Sequence, residues 1–99
     1  MDKQAKLNDF SMLNKQYSEI VLEIEQFQNE IISISERIQT LEDTPNHLVD
    51  KTTKEFKDQV TKARDKRKRI RETIAELNHT ARLKLAEIKA VEMEFCNAT

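Results

Sequence analysis

The chain has 99 residues with no Gly, no Trp and a single Pro, and 35% of it is charged, with a formal net charge of −1. Without Gly it lacks the residue that most easily supplies left-handed backbone in tight hairpins and phosphate-cradling loops. A near-neutral chain is as a whole neither a polyanion binder nor an acidic tail, and a helical chain this short buries a thin seam, not a thick core.

The first predicted element is a long helix. Phe10, Tyr17, Ile24, Ile31 and Ile38 recur every seven residues (heptad position a), and Leu13, Ile20, Phe27, Ile34 and Leu41 recur with an offset of three (position d). All ten positions are apolar, the signature of a coiled-coil helix that needs a partner helix. Before it, Met1–Asp9 is polar apart from Ala5 and Leu7. Val21, Leu22 and Ile32 lie off the seam and read as scattered surface residues, with a wider stripe for a third helix as the alternative.

The helix is expected to stop near Asp43-Thr44-Pro45-Asn46, because Pro45 lacks a backbone donor and disfavours helical geometry at Thr44. Three starts for a second helix compete: Thr44 as cap with Pro45 at the first position, a capping box Thr52-Thr53-Lys54-Glu55, or Asp50. The second helix repeats the heptad more weakly. Position d holds Val49, Phe56, Ala63, Ile70, Leu77, Lys84 and Val91, and position a holds Thr53, Val60, Arg67, Ile74, Ala81, Ile88 and Phe95. Near Lys84 the apolar path shifts to Leu85, a local phase drift. Arg67 in mid-seam either fixes register or lets its guanidinium snorkel to Glu23 or Glu30.

The predicted architecture is therefore all-α: a single domain over 1–99, with one helix over about 5–43, a Pro-containing turn over about 44–50 and a second helix over about 51–96, folded as an antiparallel coiled-coil hairpin. Pairing a layers with d layers puts Ile24 against Ile70, Ile31 against Ala63, Ile38 against Phe56 and Tyr17 against Leu77, with Glu30 near Lys66. A slip of one heptad toward the N-terminus keeps the same phase. Residues 1–43 carry nine acids and four bases, and residues 44–99 nine acids and thirteen bases. The two helices are thus opposite in sign, which favours their pairing.

The candidate interaction residues fall in two sets. The seam set is Phe10, Leu13, Tyr17, Ile20, Ile24, Phe27, Ile31, Ile34, Ile38, Leu41, Phe56, Val60, Ile70, Ile74, Leu77, Ile88, Val91 and Phe95. The second set is the basic run Lys62, Arg64, Lys66, Lys68, Arg69 and Arg71, a patch for an acidic protein or a nucleic acid. Against that role stand three i,i+4 pairs, Asp58–Lys62, Asp65–Arg69 and Lys68–Glu72, that would neutralise it. Glu19, Glu23, Glu25 and Glu30 on the first helix are nearby, the run winds round the helix, and no aromatic is interleaved for base stacking.

Catalysis has no foothold. His47 and His79 are far apart, no HExxH or CxxC spacing occurs, and no nucleophile has a base at useful spacing. No cofactor, metal or small-molecule ligand is expected. One cysteine, Cys96, excludes an internal disulfide. The polar first ten residues are unlike a signal peptide and no apolar run is long enough to span a membrane, which together lead to an expected cytoplasmic or nuclear location. That makes the sequons at Asn78 and Asn97 incidental, and the Cys96 ending departs from a prenylation box. The expected function is a non-enzymatic structural or assembly subunit that binds protein, itself or another coiled-coil subunit, through helix-helix contact. The alternatives are a nucleic-acid-binding helical protein using 62–71 and a small helical chaperone or regulator of one protein.

Overall fold

The computed structural model describes the backbone of residues 2–97 and the side chains of 4–96. It is an antiparallel hairpin of two helices, α1 (Asp2–Asp43) and α2 (Lys54–Asn97). Helix α1 begins earlier than the seam required, and α2 continues through Asn97. Ala98 and Thr99 lie outside the described residues. The chain divides into an end unit, Met1–Glu25 with Ala75–Thr99, and a turn unit, Gln26–Ile74.

The connection is longer than expected, running from Thr44 to Thr53. Helix α1 ends in side-chain hydrogen bonds: Thr44 Oγ1 donates to the Thr40 carbonyl at 2.7 Å, and the Lys51 ammonium donates to the Glu42 carbonyl. A cation at this end opposes the negative pole of the helix and satisfies an orphan carbonyl. Pro45 then opens a turn in which its carbonyl accepts from the Leu48 amide at 2.9 Å. No described residue adopts positive φ, so the connection manages without the glycine that the chain lacks.

None of the three expected starts is used, and α2 begins at Lys54. Thr53 is the N-cap: its Oγ1 accepts from the Phe56 amide at 3.2 Å, the bond that relieves one of the unpaired donors of a first turn. The capping box is off by one residue, and Glu55 sits in the first turn, where the helix dipole favours it. Asp50 organises the approach. Its Oδ1 accepts from Thr52 Oγ1 at 2.6 Å and from the Thr52 amide at 2.9 Å. These bonds, the hydroxyl first, hold its carboxyl below the ordinary carboxylate value.

This longer loop moves the register. In the turn unit Ile70 shares a cluster with Ile34 and Ile38, flanked by Phe27, Ile31, Ala63 and Ile74. Ile70 thus meets residues about one heptad or more beyond Ile24, its expected partner, and the alternative slip went the other way. Heptad phase repeats every seven residues and cannot distinguish such slips. The late cap at Thr53 moves the centre of the loop toward the C-terminus, in the direction of the observed slip. In the end unit Ile24, Ala81 and Ile88 are buried, and Phe10 meets Phe95 edge to face with ring centroids 6.5 Å apart. Lys6 pairs with Glu94 there at 3.2 Å. Lys84 and Leu85 are both half-buried, as a drifting seam requires, and Lys84 reaches back to Glu87 at 3.7 Å.

Candidate protein-interaction surfaces

The heptad residues turn inward. Of the eighteen seam candidates Ile24, Ile34, Ile38, Val60, Ile70 and Ile88 are buried, and the other twelve are half-buried. Val49 and Thr53, assigned to the second seam, precede α2. Val21 is half-buried, whereas Leu22 and Ile32 stay more than half exposed, at 57% and 55%.

Arg67 is half-buried, and its Nη1 donates to Ser35 Oγ at 3.2 Å. The snorkelling geometry therefore ends on a hydroxyl of α1 in place of Glu23 or Glu30, because the shifted register brings Ser35 opposite. All six residues of the basic candidate patch are exposed. Helix α1 answers two of them: Lys66 Nζ lies 3.4 Å from Glu30 Oε1, the expected cross-seam pair, and Arg64 pairs with Glu42. None of the three expected i,i+4 pairs closes to salt-bridge distance. Each would gain only a few tenths of a kcal/mol against the entropy of two long side chains. Lys62, Lys68, Arg69 and Arg71 consequently have no carboxylate partner among the described residues.

The run also divides into faces. Lys62, Lys66, Arg69 and Thr73 line one side of an open groove floored by Ile70, so spacing of four, three and four residues collects three cations on one stripe. The neighbouring face, Asp65, Lys68, Arg69 and Glu72, is mixed in sign. On α1 a second open groove is acidic and polar, lined by Glu36, Gln39, Thr40, Asp43 and Thr44. There Gln39 Nε2 donates to Asp43 Oδ2 at 2.8 Å, and among the described residues no cation lies within salt-bridge reach of Glu36 or Asp43. Sequence reasoning passed over these two acids, although both occupy the outermost heptad position, seven residues apart. In the end unit a shallow groove is lined by Asp9, Met12, Leu13, Gln16 and Val91.

His47 and His79 are both exposed. Among the described residues no group of three His, Cys, Asp or Glu side chains is placed to hold a metal ion, and no helix is long and apolar enough to cross a membrane. Comparison with protein families, with curated proteins and with solved structures finds no match to this chain.

Proposed function

We propose that the chain is a non-enzymatic assembly subunit that works by helix-helix contact with other protein. The observation that carries this reading is that large apolar side chains stay more than half open to solvent on faces the seam does not use. Because the seam is consumed within the chain, binding falls to the outer faces, where Met12, Leu22, Ile32, Leu83 and Met93 are open to solvent.

The test is affinity capture with the full chain from cells that express it, with quantitative identification of what is retained. A protein retained in stoichiometric amount, resistant to nuclease and lost on Leu22→Glu or Ile32→Glu, is the expected result. Retention of nucleic acid alone, or of nothing, contradicts the proposal. A second reading, nucleic-acid binding by 62–71, rests on the four unanswered cations. It requires affinity for a duplex that falls steeply as salt rises.

A further inference from the structure

Two grooves of the turn unit match each other in charge and in spacing. Glu36 and Asp43 are exposed, seven residues apart on α1, and among the described residues unpaired with any cation. Lys62 and Arg69 are exposed, seven residues apart on α2, and among the described residues unpaired with any anion. Seven residues of helix rise about 10.5 Å, so each pair presents its charges at the same interval as the other. We infer that two copies of this chain associate through these grooves, α1 of one copy lying antiparallel to α2 of the second. Glu36 then faces Arg69 of the second copy, and Asp43 faces its Lys62.

The same alignment does more than pair charges. Ile32 lies one turn before Glu36 on the same face of α1 and is 55% exposed. Continued antiparallel by four residues, it falls on Thr73 of the second copy, beside the Ile70 floor of the basic groove. An exposed apolar side chain thereby gains a methyl-bearing partner next to the ion pairs. Glu36 and Asp43 stand at the outermost position of α1, turned away from α2, so the contact is heterologous and leaves one groove of each copy open to a further copy.

Other occupants satisfy less. An acidic helix from another protein answers Lys62 and Arg69 but leaves Glu36 and Asp43 unmatched. A nucleic-acid duplex brings phosphates toward Asp65 and Glu72, which share the adjoining face with Lys68 and Arg69, and no aromatic residue lies between Phe56 and Phe95 for an unpaired base to stack on. Further copies of this chain answer both patches. The inference rests on the assembly-subunit reading and specifies one of its contacts.

The experiment is sedimentation equilibrium of the full chain at low and high salt, with two double variants, E36R/D43K and K62E/R69E, alone and mixed. All four positions are exposed, and helicity by circular dichroism confirms that each variant folds. The wild type is expected to associate reversibly, and more weakly as salt rises. Each double variant alone carries like charges on both grooves and loses about tenfold or more in affinity between copies, and the equimolar mixture recovers it as a mixed assembly. Constant single-chain mass for the wild type overturns the inference, as do variants that associate like wild type or a mixture that stays monomeric. A wild type that stays monomeric yet binds a DNA duplex or a poly-glutamate peptide through Lys62 and Arg69 also overturns it. Capture of a different protein in the preceding test is unaffected by any of these failures, so the two readings fall separately.

Discussion

Single residues decide where the helices begin and end. The Thr53 hydroxyl relieves one amide of the first turn of α2, so Thr53→Ala is expected to cost about 1 kcal/mol, read as a lower urea midpoint at unchanged slope. A loss below a few tenths would show that the cap is dispensable. Asp50 supplies a pH dependence. Its carboxyl is held below the ordinary value by Thr52, so its contribution is present above the unfolded value and is lost as pH falls through the folded one. Stability of the wild type should therefore decline below about pH 4, and Asp50→Ala should remove that part of the acid limb. Equal acid limbs in the two proteins would contradict this. Arg67 is the third case. A polar residue at a seam position costs stability and favours one register. Arg67→Leu is expected to raise the urea midpoint, and a large fall would mean that the Ser35 bond is worth more than the apolar contact it displaces.

At the scale of the helices, the seam was legible and its alignment was not. The seven-residue recurrence from Phe10 to Leu41 follows from the helical period itself, and every one of those positions is buried or half-buried. Register escaped because phase is periodic, and the term that breaks the tie is the length of the connection. That length turns on which residue caps α2: Thr44, Asp50 and Thr52 are all acceptable caps by residue type, and the structure uses Thr53. The basic run was legible as composition, but its division into a cationic groove and a mixed face depends on which pairs close in space. Packing makes a sharp prediction here. Ile38, 5% exposed in the cluster with Ile34 and Ile70, should lose about 2–4 kcal/mol as Ile38→Ala. Leu22→Ala, on an open face, should stay within about 0.5 kcal/mol. Comparable losses at both sites would mean that the two faces of α1 are misassigned.

For the molecule as a whole, the charge asymmetry between the halves of the sequence did forecast the sign of two contacts, Glu30–Lys66 and Glu42–Arg64. It did not forecast Lys6–Glu94, where the signs are reversed. Exposed pairs select partners and add little energy, so the fold rests on the apolar seam and should tolerate high salt. The central claim is that this seam closes within one chain and leaves the outer faces for assembly. The most direct test is the thermal midpoint of the K62E/R69E variant, followed by circular dichroism over a wide range of protein concentration. A seam completed inside the chain predicts a helical protein whose midpoint does not move with concentration. A midpoint that climbs as the protein is concentrated would show that the seam is completed between chains, and the hairpin account would be wrong.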